Sequence, residues 1–157
     1  VALKNAYVLG VGIANGMLEA AGGVDEAGAV MHNPAAATFA QGLYEMEQLL
    51  AALDATPAYA HSLPGSGDQY VTAMGGRTVR LGTLLGQGYT YTTAREKMAG
   101  ETLESASIIT SMGPIYRRLK SAGKLRDVEL PLLETLIEAV VEDRVVTLPF
   151  ERYFASL

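Results

Sequence analysis

Two side chains near the start of the sequence could do chemistry. Lys4 and Asn5 stand inside VALKNAYVLGVG, a run that is otherwise apolar or glycine. A lysine that leaves water must find a partner or shed its proton, so one at the edge of a prospective core calls for a carboxylate from elsewhere. The stretch Gly65 to Arg80, GSGDQYVTAMGGRTVR, offers one. Asp68 is the single acid of that glycine-punctuated segment, which also carries Thr72, the pair Gly75-Gly76, Arg77 and Arg80. Glycines let backbone N–H groups turn toward an anion, and an arginine presents a planar fork to phosphate oxygens. The plainer reading of the same segment is a surface turn with solvated arginines.

Other chemical signals are weaker. Gly10-Val11-Gly12-Ile13-Ala14-Asn15-Gly16 behind AYVL resembles a dinucleotide-binding turn, but its spacing is G-x-G-x-x-x-G, one residue too long. No strand–helix alternation follows it, which favours close helix packing as the use of these glycines. His32 and His61 lack a neighbouring ligand set, so no metal site is expected. Ser62 and Ser66 lack a nucleophile-elbow pattern.

The elements that must position these groups read as helices. Val1 to about Ala21 suits a helix buried on all sides, and Gly22 to His32 reads as a loop. Asn33-Pro34 marks a helix start with asparagine as cap, and Phe39, Leu43, Met46 and Leu50 trace one face behind it. Thr56-Pro57 opens a short helix, Leu63 to Gly67 reads as a breaker, and Asp68 is expected to cap YVTAM. Thr93 and Glu96 have capping-box spacing before Met98 and a terminal Gly100. Further helices are expected at Glu104–Ala122, Glu129–Glu142 and Thr147–Leu157, the last with Pro149 in its first turn. No alternating strand and no repeat is evident. The expected fold is an all-α, multi-helix bundle around a buried N-terminal helix.

Composition bounds the function. The 157 residues suffice for one domain with a real core. Apolar residues reach 49% against 18% charged, which points to buried surface beyond an ordinary core and allows a homodimer. A net charge of -5 argues against nucleic acid as the main partner. No apolar run reaches the roughly 18 residues of a membrane span, and the opening run lacks a basic leader and a clean cleavage site. The absence of cysteine excludes disulfides and thiolate metal sites and fits a cytoplasmic protein. The chain begins at Val1 rather than methionine, in what reads as the middle of something, so a preceding domain is expected.

LKN followed by VGIANG, then GLYEM, GSGD-x-x-x-T, GGR and LGQG resemble, in order and spacing, NAD(P)-dependent glycerol-3-phosphate dehydrogenase. The resemblance covers nearly the whole of residues 1–157 and matches the C-terminal, all-α half of that enzyme, a domain of the 6-phosphogluconate dehydrogenase-like type. It implies a Rossmann domain ahead of Val1 that binds most of the NAD or NADP. It also implies hydride transfer at the C2 carbonyl of a small phosphorylated substrate, dihydroxyacetone phosphate. By the same resemblance Lys4 is the catalytic lysine, polarising the carbonyl and giving a proton to the developing alkoxide, and Asp68 and Thr72 hold that lysine and the substrate. Gly76, Arg77 and Thr78, joined by Asn5, match the phosphate-binding stretch. Thr102 and Glu104, with Arg77, match positions that touch the cofactor.

Three departures bear on specificity. The family writes R-N-R where Arg77-Thr78-Val79 stands, N-T-K where Asn33-Pro34-Ala35 stands, and an arginine ahead of G-L-x-E-M where Gln41 stands. Each lost charged hydrogen bond to phosphate costs about 1.5–3 kcal/mol, which Arg80 is expected to offset in part. Two alternatives therefore accompany the dehydrogenase reading. One is a related two-domain dehydrogenase with a different small hydroxy substrate; the other is a non-catalytic helical dimerisation module.

Overall fold

Between Lys4 and Glu19 the first helix carries no charge, and its small and aliphatic residues let neighbours approach from every side. In the computed structural model, which describes residues 2–23 and 32–154, this helix, α1 (Ala2–Ala20), is buried along most of its length. Around it stand α2 (Asn33–Ala52), α3 (Asp68–Ala73), α4 (Arg77–Gly86), α5 (Tyr91–Lys97), α6 (Glu104–Ser121) and α7 (Pro131–Val140). A 3-10 turn (Pro57–His61), a π-helical turn (Leu63–Gly67) and a second 3-10 turn (Phe150–Arg152) complete the order, and no strand occurs among the described residues. The architecture is an all-α bundle about a buried N-terminal helix.

The glycines of α1 serve packing. A Cβ on Gly12 would lie 2.5 Å from the Val79 carbonyl oxygen, and one on Gly16 would lie 2.0 Å from that of Thr83. Reciprocally, Gly82 faces Leu9 and Gly12, and Gly86 faces Ile13 and Gly16. Two G-x-x-x-G pairs thus bring α1 and α4 into backbone contact, running in the same direction, so the start of α4 looks toward the end of α1 that bears Lys4. Ordinary side chains would hold the axes 8–10 Å apart.

A second tie crosses the core. Glu45 on α2 is fully buried, yet Leu132 N and Leu133 N donate to its two oxygens at 2.7 and 2.8 Å. These amides belong to the first turn of α7, opened by Pro131, so the carboxylate caps that helix from another. Gln41 Nε2 donates to the same carboxylate at 2.8 Å, and Gln41 Oε1 accepts from Phe154 N at 3.1 Å.

Several local expectations are corrected. The cap of α2 is His32 and Asn33 is its first residue; no side chain bonds the first turn. The buried face of α2 runs through Thr38, Gln41, Gly42, Glu45, Met46, Leu49 and Ala52, so Phe39, Leu43 and Leu50 lie on its half-buried edge. Leu63–Gly67 coils rather than breaks, with Gly65 pressed against the Tyr59 and Ala60 carbonyls, where a Cβ would be 2.3 Å from each oxygen. Asp68 does not cap: it is the first residue of α3, in helical conformation, and its carboxylate goes elsewhere. The segment after Gly76 is a ten-residue helix, not a loop. For α5 the cap is Thr90, whose hydroxyl accepts from Thr93 N at 3.4 Å, three residues before the expected box. The expected helix Thr147–Leu157 is reduced to the turn Phe150–Arg152, since Pro149 cannot donate and Phe154 turns to φ 60°; residues 155–157 lie outside the described ones, as does most of the expected loop, residues 24–31.

Candidate active site

Lys4 sits in the first turn of α1 with 8% of its surface exposed. The carboxylate that answers it is Asp68, at the first residue of α3, with Lys4 Nζ 2.7 Å from Asp68 Oδ2. The ammonium also donates to Thr72 Oγ1 at 2.8 Å. Thr72 in turn donates its hydroxyl proton to the carbonyl of Asp68 at 2.7 Å. That commitment leaves the threonine oxygen only as an acceptor toward Lys4. An ammonium has three N–H donors. Among the described residues two of them have these fixed partners, so the third is available to an oxygen brought to the site.

The spacing explains the grouping. Asp68 and Thr72 are four residues apart on one helix, hence on one face, and both reach Lys4 together. Gly75 and Gly76, at φ 158° and 94°, make the tight passage from α3 into α4, a conformation that side chains disfavour. Arg77 then opens α4 exposed to solvent, with Thr78 half-buried beside it. No side chain caps this helix, so the N–H groups of its first turn have no side-chain partner. Asn5 is half-buried next to Lys4.

The structure therefore gathers the sequence candidates into three groups. Lys4, Asp68 and Thr72 are directly bonded. Gly76, Arg77 and Thr78 form a second set at the start of α4. Thr102 and Glu104 lie exposed where the chain enters α6. Arg80, expected to offset a lost cation in part, is exposed with its Nη1 2.9 Å from Glu101 Oε1, an ion pair that ties α4 to the segment leading to Glu104. Gln41, which stands where the family has an arginine, is spent on Glu45 and Phe154 in the core.

The other departures mark a cavity of about 820 Å3 between α1, α2, α3 and α4. Ala35 and Val79, the positions of two lost family cations, both line it, with Asn15 and Thr83 among its few polar groups. Among the described residues no helix is long and apolar enough to cross a membrane, and no cluster of three potential metal ligands forms.

Three polar residues escaped the sequence reasoning: Glu45, Gln69 and Glu101. For Glu45 a signal existed, an acid in phase with Met46 and Leu49 on one buried face. Gln69 and Glu101 carry none, because one hydrogen bond to a distant element leaves no periodic trace.

A family model described as NAD-dependent glycerol-3-phosphate dehydrogenase C-terminus matches residues 1–148. Among curated relatives, the glycerol-3-phosphate dehydrogenase [NAD(P)+] of Geobacter metallireducens is 30% identical over 145 residues, 91% of this chain and 38% of its own length. That of Escherichia coli is 31% identical over 144 residues, 88% of this chain and 36% of the relative. That of Chlamydia pneumoniae is 35% identical over 107 residues, 67% of this chain and 28% of the relative. The chain thus spans well under half the length of these relatives. The crystal structure of glycerol-3-phosphate dehydrogenase from Coxiella burnetii shares the fold with a TM-score of 0.65 at 23% identity, covering 92% of this chain and 39% of that one. With its matching model, its relatives above 30% identity and its helical architecture, this chain belongs to the family of NAD-dependent glycerol-3-phosphate dehydrogenase C-terminal domains.

Proposed function

We propose that this chain is the substrate-binding and proton-donating half of an oxidoreductase that interconverts dihydroxyacetone phosphate and sn-glycerol 3-phosphate with NAD(P)H. The observation that carries the reading is the bonded group Lys4–Asp68–Thr72. A carbonyl oxygen placed on the third N–H of Lys4 is polarised in the ground state and receives a proton from the ammonium as negative charge develops on it. Asp68 holds the ammonium aimed, and the locked Thr72 hydroxyl prevents rotation about the last bond of the side chain. Arg77, the uncapped N–H groups of α4 and Asn5 receive the phosphate, charge-assisted at one end of the substrate. The nicotinamide supplies the hydride when bound. Thr102 and Glu104 suit one edge of it, being exposed side chains tied through Glu101 to the same helix as Arg77.

A second reading has its own support. The cavity where Ala35 and Val79 replace cations is lined largely by apolar side chains. With no cation at either position, a related hydroxy substrate with a less charged distal group is the second reading. Localisation in the cytoplasm is carried by the cysteine-free composition. Homodimerisation is carried by the exposed apolar side chains Tyr59, Leu63, Tyr70, Val71 and Met74.

The test is NADH oxidation by the complete enzyme with dihydroxyacetone phosphate and a panel of other small carbonyl compounds. Lys4→Ala is expected to lower kcat by about 10²–10⁴-fold, the usual contribution of a positioned acid. Unchanged turnover in that variant overturns the mechanism, and a preferred substrate without phosphate selects the second reading.

A further inference from the structure

The six-residue helix that presents Asp68 and Thr72 has little to hold it. Tyr70, Val71 and Met74 are 60–68% exposed, and Asp68 and Thr72 are only half-buried. A helix of this length has no stability of its own, so its position must come from tertiary contacts. One residue of α3 is buried, Gln69, with no exposed surface at all. Its Nε2 donates to the carbonyl of Phe39 on α2 at 3.3 Å. The amide enters a notch beside Gly42, where a Cβ would lie 3.2 Å from Gln69 Nε2 and 3.0 Å from Tyr7 Cβ. Tyr7 follows Lys4 by less than one turn of α1, so the same notch references α3 to both α1 and α2.

The choice of glutamine is informative. Gln69 Oε1 has no hydrogen-bond partner among the described residues although it is buried, a standing cost that leucine in the same space would avoid. Apolar packing tolerates sliding, whereas a hydrogen bond to one carbonyl fixes both the rotation and the height of a short helix. The residue so fixed adjoins Asp68 and is three positions from Thr72.

We infer that Gln69 is a positioning residue, the peg that sets Asp68 and Thr72 against Lys4. The inference rests on reading Lys4 as the proton donor only for its kinetic consequence; the placement itself is measurable without turnover.

The test uses the complete enzyme with Gln69→Leu and, as a second unbranched apolar variant, Gln69→Met. Competitive acetylation of lysines, read by peptide mass spectrometry with Lys124 as internal reference, reports Lys4 directly. With Asp68 and Thr72 displaced, the Lys4 ammonium, now 8% exposed and bonded to both, is released to the reagent, so its labelling should rise about tenfold in either variant. In both variants kcat should fall about tenfold while KM for the phosphorylated substrate stays within about twofold, because Arg77 is untouched. Faster labelling with normal turnover supports the peg and removes the catalytic reading of Lys4. Unaltered Lys4 labelling in a folded variant overturns the peg, whatever the melting temperature does. If Gln69→Leu fails to fold, the same two outcomes are read from Gln69→Met.

Discussion

Three N–H groups converge on the carboxylate of Glu45, yet burial dominates its chemistry. Loss of water raises its pKa from 4.5 to about 7, against the pull of Gln41 and the amides of Leu132 and Leu133. The nearby phenols of Tyr7 and Tyr153 are pushed up by the same burial and stay neutral across this range. A carboxyl that holds its proton more tightly folded than unfolded contributes stability that is complete below pH 4.5 and lost as pH rises to about 7. The urea midpoint should therefore decline over that window. Glu45→Gln should abolish the decline while lowering the midpoint throughout, because one acceptor oxygen becomes a donor facing an amide. A variant that keeps the full slope would place the titration elsewhere. At this scale the pairing of Lys4 with Asp68 was legible because each is a lone charge in an uncharged neighbourhood. Glu45 and Gln69 were not, since a buried polar group is defined by partners 30 to 88 residues away.

Helix propensity and packing disagree at the crossing of α1 with α4, and the geometry says which prevails. Alanine is favoured over glycine inside a helix by about 1 kcal/mol. At Gly16, however, the added Cβ would meet backbone, 2.0 Å from the Thr83 oxygen, and backbone cannot swing aside. Gly16→Ala should thus destabilise by about 1–3 kcal/mol net, the range of overpacked cores. Gly113 on α6 is the control, its nearest outside atom being the flexible Arg117 Nη2 at 3.9 Å. Gly113→Ala should be neutral or stabilising by up to about 1 kcal/mol. Equal effects at the two sites, measured by urea denaturation, would refute backbone contact as the reason for the glycines. The same conflict hid α4 from the sequence: Gly82 and Gly86 count as breakers locally and are required by α1. Helices announced by long apolar faces or by proline, such as α1, α2, α6 and α7, were legible within a few residues. The tail after Val140 was not, because its apolar residues Val146 and Leu148 reach the core from extended backbone.

Across the whole molecule the two anionic ligands of the proposed reaction meet very different provision. For the substrate phosphate we propose an arginine, a glycine turn and an uncapped helix start that lie together at the beginning of α4. A dinucleotide needs a second such cradle for its pyrophosphate, with N–H groups turned outward at a glycine-rich bend. The one glycine run that resembles such a bend, Gly10 to Gly16, lies within α1, where its amides are spent on the helix and its missing side chains are filled by α2, α4 and α7. What this chain would offer the cofactor under the proposed reading is an edge, Thr102 and Glu104, on a molecule of net charge -5. An edge of exposed side chains, one of them anionic, gives little affinity for a dinucleotide. NADH titrated against the 157-residue chain should therefore show no saturable change in fluorescence up to about 1 mM, a bound of about 4 kcal/mol. The complete enzyme should bind it, and Glu104→Ala there should weaken NADH only slightly, without altering the phosphate dependence of KM. Saturable binding to the 157-residue chain alone would mean that these helices hold the nucleotide themselves, and the division of labour between substrate and cofactor would have to be redrawn.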